Sequence, residues 1–225
     1  MRRLHYVISS ALIIFLVILI FSTPSVWAQV KIFLARHGQT DWNKEGRLQG
    51  WTNTDLNDLG KKQANALFNL LKEEKIQVIY TSTLKRSIQT AKPFIKNTRI
   101  PVRNLDVLKE INLGLLQGHK NTEKEVREEL LFMDKDVKHR APQGESFQDV
   151  FNRISFFVDK IIEKHRNETI LIIGHSGVNS IILAKLLNIP LEKAVNIYQP
   201  NDLVFTVYYL PSLKSPTVVW TKSMN

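Results

Sequence analysis

The chain has no cysteine among its 225 residues. That excludes a disulfide framework, a thiol nucleophile and thiolate metal ligands. It also lacks a Gly-x-Gly-x-x-Gly pattern and a P-loop, so no nucleotide cofactor is indicated. No block of lysine and arginine is long enough to argue for nucleic acid. No His-Glu-x-x-His pattern or other recognised ligand spacing occurs. His5 falls in the N-terminal leader, and His119, His139 and His165 fall in charged segments and read as surface residues. Neither a metal site nor a cofactor is expected, and internal repeats are absent.

What remains is ordinary globular composition, 44% hydrophobic and 23% charged. The length suits one domain, or one domain with an insertion. The N-terminus differs from the rest. Arg2 and Arg3 precede an uncharged apolar run from Val7 to Phe21. Ser22-Thr23-Pro24 breaks the run, and Val26-Trp27-Ala28 follows as a small-residue cleavage pattern. This is the three-part layout of a secretory signal, with residues 1–28 removed and export to the periplasm or medium. The alternative is an uncleaved anchor, but a span needs about 20 apolar residues and this run is shorter. No stable membrane insertion is expected after cleavage. Loss of residues 1–28 lowers the net charge from +10 to +8. The remaining basic excess suits an anionic substrate, and equally plain solubility.

Along residues 29–225, strand and helix patterns alternate. Val30–Ala35, Ile76–Tyr80 and Thr169–Ile173 read as short buried strands, with later strands at 203–210 and 217–221. Asn57 reads as the N-cap of an amphipathic helix over 58–73. Ser82 or Thr83 is expected to cap the next helix, which Pro93 kinks or ends. Residues 119–141 are dense in charge and read as an exposed helical insertion or lid, with 115–145 as its outer bounds. Ser146 and Asp149 resemble a capping box ahead of a long core-facing helix, and 178–187 reads as a helix. Apolar strands alternating with helices imply a three-layer αβα sandwich with a mainly parallel central sheet.

Two histidines stand out. Arg36-His37-Gly38 directly follows the first strand, and Gly174-His175-Ser176-Gly177 directly follows a later one. Ligands of open parallel sheets bind beyond the carboxyl ends of strands, so the two can converge. Arg86, opening the helix after a third strand, can reach the same edge. Arginine forks and imidazoles in one crevice have the composition of a phosphate site.

These residues resemble the histidine phosphatase superfamily, in its phosphoglycerate mutase-like branch. Residues 36–43 (RHGQTDWN) are similar to that family's opening segment, and Arg47-Leu48-Gln49-Gly50 and residues 59–64 to the next two. Residues 80–91 (YTSTLKRSIQTA) are similar to a further segment, and 108–114 to the segment bearing the acid. Gly144-Glu145-Ser146 and residues 174–177 complete a set that spans about residues 30–185 in family order. The resemblance implies His37 as nucleophile, and Arg36, Arg86 and His175 as binders of the transferring phosphoryl group. It implies Glu110 as general acid and then base, and Asn43, Gln49 and Gly50 in the phosphate pocket. It implies hydrolysis of a small phosphate ester without metal, the protonated His175 helping the arginines to stabilise charge. Gln39, Asn53 and Leu116-Gln117 depart from the family's commoner residues, which loosens any inference about substrate. A mutase and a non-catalytic phospholigand-binding module stay as alternatives. No sequence feature specifies an oligomeric state.

Overall fold

A computed structural model describes residues 29–211 and 215–224, and of 215–222 the backbone alone. The proposed leader lies outside the described residues. Six strands form one sheet in the order β3-β2-β4-β1-β5-β6. They are β1 (Val30–Arg36), β2 (Ile76–Ser82), β3 (Val102–Leu105), β4 (Thr169–Gly174), β5 (Leu203–Leu210) and β6 (Ser215–Ser223). β1 to β4 pair in parallel, while β5 runs antiparallel to β1 and β6 antiparallel to β5.

Side chains alternate across each strand, and this alternation builds two cores. On β1, Val30, Ile32 and Leu34 enter one cluster; Phe33 and Ala35 enter the other. On β4, Ile170 and Ile172 join the first, Leu171 and Ile173 the second. After the single-turn helix α1 (Asp41–Lys44), helices α2 (Asp58–Leu71) and α3 (Lys85–Asn97) cover the second face, and α5 (Phe147–Lys164) and α6 (Ser176–Leu187) the first. The expected αβα sandwich is what forms.

Local signals account for several helix starts. The Asn57 side chain accepts the Gly60 N–H at the head of α2. Ser146 and Asp149 make a reciprocal capping box at the head of α5. The cap expected at Ser82 or Thr83 is not used. The N-cap of α3 is Leu84, with no side-chain bond. Ser82 Oγ is committed to His175, and Thr83 Oγ donates to Asp106. α3 also continues through Pro93 to Asn97. A proline removes one helical donor, and here Ala91 and Phe94, both buried against the sheet, hold the helix across it.

The charged segment 119–141 departs from its expectation as well. Its helix α4 (Lys124–Lys135) buries Val126 and Met133, and Val137 and Ala141 follow into the core. With the half-buried Leu130, the apolar positions step by four and three residues, one stripe of a helix. The density of charge on the other faces masks that stripe in the sequence. His165, expected at the surface, is buried between Tyr80 OH and the Glu168 carboxylate.

Candidate active site

The two histidines meet because of one register. Arg36 and Gly174, the last residues of the parallel neighbours β1 and β4, are direct partners. Beyond them the chain departs in opposite directions, β1 towards α2 on one face and β4 into α6 on the other. That divergence opens a crevice at the strand ends, where α/β sheets hold their ligands. The His37 N–H donates to Gly174 O at 3.0 Å, and the two imidazole centroids lie 5.1 Å apart.

His37 is held in one tautomer. Its Nδ1 lies 2.8 Å from Gly38 O, which can only accept, so Nδ1 carries the proton. The lone pair is then on Nε2, which receives the Arg86 Nε–H at 3.2 Å. Gly38 is fixed in turn, its N–H donating to Thr90 Oγ1. It lies so close to Gly60 that a Cβ there would collide with Gly60 O.

Arg86 is fully buried. It donates through Nη1 to Thr52 O at 2.8 Å and through Nη2 to Gly50 O at 2.7 Å. Desolvation brings its pKa down to about 10, with Glu110 opposing the fall, so it stays charged at neutral pH. Arg36 donates through Nη1 to Gln199 O at 2.9 Å and to Tyr198 OH at 3.3 Å. Its Nε is buried without a hydrogen-bond partner among the described residues.

His175 has no solvent exposure, and its Nε2 lies 2.7 Å from Ser82 Oγ. Its Nδ1 is buried and unpartnered among the described residues. Burial first, then Arg86, push the pKa of His175 well below 6.5. The same two causes, with Arg36, hold His37 well below 6.5. The ligand-free site therefore holds two neutral imidazoles. Desolvation and two guanidinium groups oppose a third positive charge there, so the protonated His175 expected beside a phosphoryl group is disfavoured until that anion is bound.

Glu110 approaches from the loop after β3. Its carboxylate accepts N–H groups from Ile111 and Val178 at 3.1 Å and from Gly177 at 3.4 Å. The last two belong to the first turn of α6, where a helix favours negative charge. Arg153 of α5 clamps the loop, donating to the carbonyls of Val107, Lys109 and Glu110 while pairing with Glu145 at 2.9 Å.

Arg36, His37, Arg86 and Glu110 line one cavity of about 280 Å³, and Asn43, Gln49 and Gly50 line it with them. The structure thus gathers every sequence-selected residue, with the buried His175 beside His37. Asn43 Oδ1 accepts from Thr40 N at 3.1 Å, and Gln49 Oε1 from Thr54 Oγ1 at 2.5 Å. Gly50 adopts φ +48°, which presents its carbonyl to Arg86. Sequence reasoning missed Ser82, Tyr198, Gln199, Asn179 and Asn201. Asn201 Nδ2 donates to His37 O at 2.7 Å, and Asn179 Nδ2 to Ala35 O at 3.0 Å. Ser82 was findable as the residue ending β2 beside β4. Residues 198–201 lie beyond the segments that carried the resemblance and have no local signal.

Residues 32–212 match the model of the histidine phosphatase superfamily, branch 1. Over 167 residues the chain is 32% identical to phosphoserine phosphatase 1 of Hydrogenobacter thermophilus, covering 73% of this chain and 79% of that one. It is 36% identical over 183 residues to a metal-independent phosphoserine phosphatase of Arabidopsis thaliana, covering 76% and 77%. Among solved structures it is similar to a mycobacterial glucosyl-3-phosphoglycerate phosphatase complexed with VO3, with a TM-score of 0.74 and 25% identity, covering 86% and 96%. The chain belongs to the histidine phosphatase superfamily, branch 1. It is a phosphomonoesterase of that superfamily's class.

Proposed function

We propose that the protein hydrolyses small phosphate monoesters through a phosphohistidine on His37. The carrying observation is the pair of buried imidazoles 5.1 Å apart, flanked by two nitrogens, Arg36 Nε and His175 Nδ1, that have no partner among the described residues. A phosphoryl group seated there supplies an acceptor to Arg36 Nε, and to His175 Nδ1 in the tautomer whose Nε2 accepts from Ser82. His37 Nε2 attacks phosphorus with the lone pair its tautomer exposes, and the phosphorus–alcohol oxygen bond breaks. Glu110 gives the departing oxygen its proton. Water then attacks the phosphohistidine, Glu110 takes a proton from it, and the nitrogen–phosphorus bond breaks to release phosphate. Arg36, Arg86 and His175 stabilise the charge spread over the phosphoryl oxygens. Asn43, Gln49 and Gly50 complete the pocket wall. Three or more His, Asp or Glu side chains able to hold a metal ion do not cluster among the described residues.

The N-terminal pattern supports export with cleavage after Ala28. The mass of the protein recovered from a secreting host tests that reading. For the chemistry, phosphate release is screened over phosphoserine, sugar phosphates, nucleotides and phosphoglycerates. Turnover in EDTA and an acid-labile phosphoenzyme are expected, and both vanish in His37→Ala. Turnover restored only by added zinc or magnesium, or exchange of 2- and 3-phosphoglycerate without phosphate release, overturns the reading.

A further inference from the structure

The wall of the cavity away from the histidines is mostly apolar. Leu113, Leu130, Met133, Phe147, Val195 and Ile197 contribute to it. Two charged side chains interrupt that wall. Arg47 is already occupied, by Glu45 at 2.6 Å and by Gly118 O at 2.9 Å. Asp134 is different. Its carboxylate forms no hydrogen bond or ion pair among the described residues, although it borders the same cavity.

Asp134 belongs to α4, one helical step from Leu130 and adjacent to the buried Met133. The core stripe of α4 therefore fixes where this carboxylate stands, at the mouth of the cavity and open to solvent on one side. The side chain is exposed; its partial burial raises its pKa, and no neighbouring cation pulls it back. An unpaired carboxylate is a poor partner for an anionic tail and a good one for a cationic tail.

Resting on the phosphatase reading, we infer that Asp134 is a specificity residue that receives the ammonium group of an amine-bearing phosphate monoester. The phosphoryl group sits on the arginines and histidines. A short carbon chain lies along Leu113, Leu130 and Met133, and the ammonium meets Asp134. A cavity of about 280 Å³ suits a small alcohol, such as an amino alcohol or an amino acid. The Arg47–Glu45 pair is neutral as a unit, so the net charge of the far wall is that of Asp134.

The test compares kcat and KM for O-phosphoethanolamine and phosphoserine with those for glycerol 1-phosphate and 3-phosphoglycerate. The wild type is expected to favour the amine-bearing esters. Asp134→Asn should raise KM for O-phosphoethanolamine by about tenfold, the weight of one charge-assisted hydrogen bond. It should leave kcat and the kinetics of glycerol 1-phosphate unchanged. Asp134→Lys should shift preference towards 3-phosphoglycerate. Equal effects on all four esters, or none, overturn the inference while leaving the phosphatase reading intact. A wild type inactive on every ester, p-nitrophenyl phosphate included, fails the phosphatase reading itself and takes this inference with it.

Discussion

The hydroxyl of Ser82 lies 2.7 Å from Nε2 of His175, at the point where β2 ends beside β4. Ser82 Oγ also accepts the Leu84 N–H at 3.2 Å. The serine thus joins the head of α3 to the second imidazole. By engaging Nε2 it leaves Nδ1 as the unpartnered ring nitrogen, the atom that the proposed mechanism sets against a phosphoryl oxygen. Ser82 does not line the cavity, and its part in the proposed mechanism is to orient the ring.

Ser82→Ala should therefore lower kcat more than it raises KM, by a factor of roughly 10–100, the range seen when a partner that orients a functional histidine is removed. Ser82→Thr, which keeps the hydroxyl, should recover part of that loss. Steady-state kinetics on one ester checks this. Equal activity of wild type and Ser82→Ala shows that the serine does not orient His175.

The depressed pKa values of His37 and His175 have two consequences with the same sign. Both groups are neutral when folded, and both return to about 6.5 when unfolded. The unfolded chain binds more protons, so the stability they contribute is present above pH 6.5. It is lost as pH falls from 6.5 towards the folded values. The thermal midpoint should drop on acidification through this window, and His37→Gln with His175→Gln should flatten the slope. Catalytically, the acid limb of kcat/KM should lie well below pH 6.5 once the ester's own ionisation near pH ~6 is corrected for. A limb at 6.5 set by the enzyme contradicts the burial argument.

Arg153 offers a separate test of how Glu110 is placed. Its guanidinium ties three backbone carbonyls of the Glu110 loop to Glu145. Arg153→Met should lower kcat/KM, which reports phosphoryl transfer to His37 and not the shared hydrolysis of the phosphohistidine, by about 10²-fold or more for esters with poor leaving groups, the scale of a lost general acid, and spare it for p-nitrophenyl phosphate. Loss of stability alone would slow both classes alike, so the ratio of the two rates separates positioning from folding.

Met133 reports on whether α4 is part of the core. Its side chain is 1% exposed. Met133→Ala should cost about 2–5 kcal/mol of stability, as for other buried truncations. A mobile lid lying outside the core would show less than about 0.5 kcal/mol, as exposed substitutions do. Denaturant unfolding distinguishes the two.

Much of the molecule was set by sequence patterns with short range. The apolar runs at 30–35, 76–80 and 169–173 fixed the strands, and Asn57 and Ser146 fixed two helix starts, because capping and side-chain alternation act over a few residues. The two histidines, each following a strand and beside glycine, marked the site for the same reason. Only the fold decided the rest. The pairing of Arg36 with Gly174 brings together residues 138 positions apart in the chain. Ser82 could cap a helix or hold His175, and its sequence neighbours do not choose between them. Met133 and Asp134 read as one charged stretch until packing sends one into the core and the other to the cavity mouth. The neutrality of His175 likewise follows from burial beside two guanidinium groups, and burial is a property of the assembled chain.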